Sequence, residues 1–168
     1  MKLKELMNLR SRTQQKLSEL QQKRDAIALV TLEAGERWED YLLPSERVEL
    51  LTEQIDGLMA KLLAMTSLVR QANHARRRDG VIRLEPGESI SDLIERSILY
   101  RSEAERCSRL GRNRPRKRTT SYTERGNLIE QATYDIEKMA KRGEQLEKKA
   151  QELSDRVEKL DMEVEVEL

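Results

Sequence analysis

The chain has 168 residues, with 32 Lys+Arg against 31 Asp+Glu, a net charge of +1, 38% charged residues, 3% aromatic ones and no Phe. Seven Gly and three Pro are too few for a loop-rich β protein or a low-complexity linker. One Cys and one His exclude a disulfide framework and zinc-finger spacing, and they leave no set for His-based metal or triad chemistry.

An apolar content of 37% beside so much charge predicts long amphipathic helices, organised as one domain over 1–168. The opening MKLKELMNLRSR alternates charge with Leu and lacks the apolar core of a signal peptide. No run of about 18 apolar residues is present to span a membrane. The expectation is a cytoplasmic protein without a membrane partner.

Leu3, Leu6, Arg10, Thr13, Leu17, Leu20, Arg24 and Ile27 step by threes and fours, which predicts a first helix over residues 2–29. Met7 and Leu9 widen its stripe. Arg10, Thr13 and Arg24 fall at inward positions, where they either fix register or, more simply, snorkel to solvent as the helix rolls. Residues 30–44 hold Gly35, Trp38, Tyr41 and Pro44 and read as an ordered connector whose aromatics pack on the helices or, for Trp38, stack on a ligand.

The second helix, residues 45–78, has the cleanest pattern: Val48, Leu51, Ile55, Leu58, Leu62, Met65, Val69 and Ala72. Leu50, Met59, Leu63 and Leu68 add a second stripe, so this helix should contact at least two neighbours. Its apolar excess predicts a homo-oligomer. Asp79-Gly80 and Pro86-Gly87 bracket Val81–Leu84 as a short extended arm or hairpin over 79–88.

Ser89 with Asp92 forms a capping box for a third helix, residues 89–110, with Ile90, Leu93, Ser97, Tyr100, Ala104 and Cys107 on its seam. A basic connector spans 106–120. Ser121 with Glu124 reads as a second capping box, opening a fourth helix over 121–161 with Ile129, Ala132, Ile136, Met139, Gly143, Leu146, Ala150, Leu153, Val157 and Leu160 inward. The four seams together predict an all-α, antiparallel, coiled-coil-like bundle. Residues 162–168, MEVEVEL, alternate as a half-buried strand would, and either add to an edge such as Val81–Leu84, in the same or another subunit, or form an acidic tail.

Several of these stretches resemble a small bacterial and phage family sometimes labelled septicolysin-like. The match runs through Met1-Lys2-Leu3, then Arg12, Gln14, Gln15, Lys16 and Leu17; Asn73 at the close of the second helix; Gly87-Glu88-Ser89-Ile90-Ser91-Asp92-Leu93 as the turn into the third; and Ser108-Arg109 after it. The end resembles Leu153–Leu168 loosely, without the family's Asn-Trp, and Arg76, Arg77 and Arg78 are extra here. The resemblance implies an all-helical, self-associating protein. The label suggests cell lysis, but no segment resembles a pore-forming one.

Catalytic constellations are missing. Cys107 sits on a helix seam beside Ala104, where a small apolar core residue is expected, and neither a Gly-rich phosphate loop nor a metal motif occurs. No enzyme, cofactor or metal site is expected. The sharpest composition shift is Arg106, Arg109, Arg112, Arg114, Arg116, Lys117 and Arg118: seven cations in thirteen residues with no acid. Arg suits bidentate recognition of phosphate.

Three readings follow for this cluster. It is a solvated loop, or it pairs with acidic segments of a neighbouring subunit, or it binds an anion. The candidate anion site comprises Arg109, Arg112, Arg114, Arg116, Lys117 and Arg118, with Arg76, Arg77, Arg78, Asn73, Tyr122 and Trp38 alongside. The leading expectation for its ligand is a small phosphorylated molecule, such as a nucleotide, held between subunits. Nucleic acid is the alternative, with Thr119, Thr120 and Ser121 as phosphate donors.

Overall fold

A computed structural model describes residues 2–33, 35–43, 47–76, 89–119 and 128–163, the side chains of 74–76, 119 and 161–163 excepted. The elements run α1 (Leu3–Ile27), β1 (Leu29–Leu32), a 3₁₀ turn (Trp38–Asp40), α2 (Val48–Arg76), α3 (Ile90–Gly111), β2 (Arg116–Thr119), β3 (Leu128–Ala132) and α4 (Ile136–Glu163). This is an all-α antiparallel bundle with a short three-stranded sheet at one end. No helix among the described residues is long and apolar enough to cross a membrane.

The helices pair chiefly as α1 with α2 and α3 with α4. Leu17 of α1 is buried among Ile55, Met59 and Leu62 of α2, and Arg10 Nε donates to Thr66 Oγ1 at 2.9 Å. The N-terminal half of α1 therefore lies against the C-terminal half of α2. In the second pair small residues permit close approach. A Cβ on Gly143 would meet Ser108 Oγ at 2.7 Å and its amide N at 3.1 Å, and one on Gly111 would meet Ala140 Cα at 2.7 Å. Farther along, Ser97 Oγ donates to the Ala150 carbonyl at 3.1 Å. A buried cluster of Ala28, Val48, Ala104, Cys107, Leu110, Met139 and Leu146, with Ile27 of α1 packed against it, joins all four helices near the sheet end.

Several sequence expectations hold within one copy. Leu93, Ser97, Ala104 and Cys107 of the third seam are buried, as are Met139, Leu146 and Ala150 of the fourth. The second stripe of α2 is partly covered: Met59 is buried, Leu63 and Leu68 are half-buried, and Leu50 is exposed. Met7 and Leu9 do not widen the inward stripe of α1; both face solvent.

The fourth helix is shorter than expected. Residues 128–132 form a strand, central in the order β1-β3-β2 and antiparallel to both neighbours. The helix begins only after Asp135, whose Oδ1 accepts from the Lys138 amide at 2.9 Å. The spacing from Ile129 through Ala132 to Ile136 mimics a helical seam, but pairing on both sides of β3 satisfies its backbone as a helix would, and wins. The connector 30–44 likewise contains the end of β1, and the basic connector 106–120 divides into the last turn of α3 and the strand β2.

Arg24 also departs from its expected role. It does not snorkel. It is fully buried and reaches Glu103 of α3, also fully buried. The arm at 79–88, the Ser121–Glu124 capping box and residues 164–168 lie outside the described residues.

Candidate functional site

The α3–β2 junction carries the cation cluster to the sheet end of the bundle. Arg106 and Arg109 still belong to α3 and share one carboxylate: Arg106 Nη1 donates to Asp25 Oδ2 at 3.0 Å, and Arg109 Nη2 lies 3.9 Å from the same oxygen. Arg112 caps the helix, its amide donating to the Arg109 carbonyl at 3.2 Å. The turn beyond is held by Tyr134, whose hydroxyl donates to the Leu110 carbonyl at 2.7 Å and accepts from Asn113 Nδ2 at 2.8 Å. Pro115 then delivers the chain into β2, its carbonyl accepting from the Ala132 amide at 3.0 Å.

In β2, Arg116 pairs with Gln131, Lys117 with Glu130, Arg118 with Ile129 and Thr119 with Leu128. Alternation along a strand sends Arg116 and Arg118 to one face and Lys117 to the other. Arg112, Arg114, Arg116, Lys117 and Arg118 are all exposed, and among the described residues none of the five holds an ion pair. Two of the seven cations are thus tied to Asp25, and among the described residues the other five have no acidic partner along a bent, extended segment.

The other expected site residues are not gathered to this point. Asn73 is exposed near the end of α2, at the opposite end of the bundle. Arg76 closes α2, its side chain undescribed, and Arg77, Arg78 and Tyr122 lie outside the described residues. Trp38 opens the 3₁₀ turn and is half-buried.

Two clefts among the described residues mix charges of both signs. One of about 640 Å³ between α3 and α4 includes Arg112, but also Glu105, Glu144, Glu147 and Lys148. Another of about 540 Å³ between α2 and α4 mixes Glu49, Glu53 and Asp56 with Lys138, Lys141 and Arg142. Arg142 is ion-paired to Asp56 across it. Burial disfavours the Arg142 charge, but the hydrogen bond that its guanidinium donates to Asp56, with the carboxylate's charge, outweighs this and holds it above its ordinary pKa.

Sequence reasoning missed the buried polar centre. Arg24 Nη1 meets Glu103 Oε1 at 2.5 Å, and Gln21 Nε2 donates to Glu103 Oε2 at 2.9 Å. Arg24 Nε and Asp25 Oδ1 make no hydrogen bond and face each other at 3.6 Å. Burial by itself would depress the Arg24 pKa; the adjacent Glu103 carboxylate reverses this and raises it. The signal available in the sequence was the inward register of Arg24, with Gln21 one turn before it.

Cys107 Sγ lies 3.5 Å from Glu103 Oε1. Burial, then the nearby Glu103 charge, push its pKa up to about 11. A thiol so placed is a poor nucleophile. Among the described residues no group of three or more His, Cys, Asp or Glu could hold a metal. The chain matches no family model, no curated protein and no solved structure, so the chemistry of its own residues must carry the interpretation.

Proposed function

We propose that the chain is a non-enzymatic helical binding protein that grips a phosphate-bearing polyanion, a nucleic-acid backbone, along β2 and the turn before it. The observation that carries this is the set Arg112, Arg114, Arg116, Lys117 and Arg118, exposed and without an ion pair among the described residues. A line of open cations suits a linear array of phosphates. A compact phosphorylated ligand, the leading expectation from sequence, needs donors that converge on a concavity. Of the five, only Arg112 lines the α3–α4 cleft, beside Lys148 and three acids.

The near-zero net charge is compatible with this reading because the charge is segregated. Residues 152–168 hold seven acids against two bases, and α4 carries those as far as Glu163 away from the sheet. The local field at β2 stays positive. Pairing to the half-buried strand β3 anchors the array, so the backbone under the Arg side chains is already ordered before binding.

The test is fluorescence anisotropy of a labelled DNA oligomer across a salt series. Binding should weaken linearly in log–log form. Arg116→Ala with Arg118→Ala should flatten the slope by about 2, since each phosphate contact contributes about 0.9. At fixed salt the same variant should bind at least about 100-fold more weakly, at about 1.5–3 kcal/mol for each of two charge-assisted hydrogen bonds. Failure of the wild type to bind at low salt, or an unchanged slope in the variant, would refute the proposal. Calorimetry with mononucleotides runs beside it: tight binding lost in Arg112→Ala would replace the polyanion with a compact ligand.

A further inference from the structure

We infer that the free edge of β2 is a docking site for residues 164–168 of a second copy of this chain, added as a fourth strand. Among the described residues β2 is paired only with β3, and the outward amides and carbonyls of Arg116–Thr119 have no strand partner there, as a strand-accepting edge requires. Basic side chains on such an edge repel most partners and favour an acidic one. Beyond α4, Val164-Glu165-Val166-Glu167 alternates a β-branched residue with an acid. In an extended strand that alternation sets the carboxylates on one face, as β2 sets Arg116 and Arg118.

The two segments cannot meet within one molecule. β3 leads into Ile136 at the sheet end, and α4 then runs 28 residues antiparallel to α3. Ala140 lies against Gly111, and Ala150 and Ser154 against Ser97. At 1.5 Å per residue the helix carries Glu163 about 40 Å from its start. Residues 164–168 reach at most about 18 Å beyond Glu163. The acids therefore meet this basic edge only on another copy. The contact joins unlike ends, so it propagates head to tail into a chain or closes as a ring.

This inference shares the strand β2 with the proposed function but stands on separate observations. The experiment is sedimentation velocity on the full chain, with two charge reversals: Arg116→Glu with Arg118→Glu, and Glu165→Arg with Glu167→Arg. The wild type should associate with rising concentration, and dissociate between about 0.1 M and about 1 M NaCl, as the Debye length falls from about 10 to about 3 Å. Each reversed variant should remain monomeric, and mixing the two should restore association. A wild type that stays monomeric, or association that survives both reversals, would overturn the inference. DNA binding is read separately. Association without DNA binding removes only the polyanion reading, and DNA binding by a wild type that never associates removes only this one.

Discussion

Replacing Arg24 with Met should be among the most destabilising single changes in the chain. The substitution keeps much of the side-chain volume but strands Glu103, whose side chain is fully buried. Two oxygens that accept from Arg24 at 2.5 Å and Gln21 at 2.9 Å would retain only the amide and the weak thiol donor of Cys107 at 3.5 Å. Leaving one member of a buried ion pair uncompensated costs about 3–5 kcal/mol. Glu103→Leu should cost a similar amount, because the Arg24 charge, 0% exposed, would keep only Asp25, 3.6 Å from its Nε.

The double variant Arg24→Met with Glu103→Leu is the decisive construction. It removes both charges together, and apolar replacement of a buried pair is often neutral or stabilising by about 1–4 kcal/mol. Its cost should therefore fall below that of either single variant. Urea unfolding of all four proteins at pH 7 gives the coupling energy directly. Additive losses, or single variants within about 1 kcal/mol of wild type, would show that water or rearrangement relieves the stranded charge and that the pair is not the buried contact described above.

Two glycines should respond with opposite signs. Gly57→Ala, with nothing within 4 Å of the new Cβ, should stabilise α2 by about 0.5–1 kcal/mol, whereas Gly143→Ala should lower the melting temperature because the Cβ enters the Ser108 backbone at 3.1 Å. Cys107 should resist alkylation in the folded protein: with a pKa of about 11 its thiolate fraction at pH 8 is about one thousandth, and fast labelling without denaturant would refute the assigned burial. Because that pKa is raised on folding, stability should be unaffected by this group below about pH 8.5, the ordinary thiol value, and decline as pH rises through 11; a Cys107→Ala variant with the same alkaline decline would remove the attribution.

The helices were legible because their order is written locally, in three-and-four spacing and in caps such as Ser89, whose hydroxyl accepts from the Asp92 amide at 3.2 Å. The sheet was not. Leu128–Ala132 is a strand only because it lies between Leu29–Leu32 and Arg116–Thr119, and a partner about a hundred residues away leaves no local periodicity. Arg24 shows the same limit: its inward position was visible, but its partner is 79 residues away, so solvent seemed the only outlet for the charge. The basic cluster was legible as composition, yet its division into two cations spoken for by Asp25 and five open ones depends on where α3 stops and β2 starts.

The order β1-β3-β2 also bears on how the chain acquires its fold. The α1–α2 and α3–α4 pairs are each made of consecutive helices, so each can close early as a local hairpin. Apart from Arg70 and Ser67 of α2 meeting Asp92 of α3, their mutual attachments are long-range: Leu29 to Ala132, Arg24 to Glu103, Arg142 to Asp56. Contacts of such sequence separation form after local ones, and the strand from the second half that pairs with β1 belongs to the end that must wait. The bundle should thus assemble as two preformed halves docked in a late step, and amide exchange in β1 and β3 should report the docking equilibrium while the helix interiors report their own hairpins.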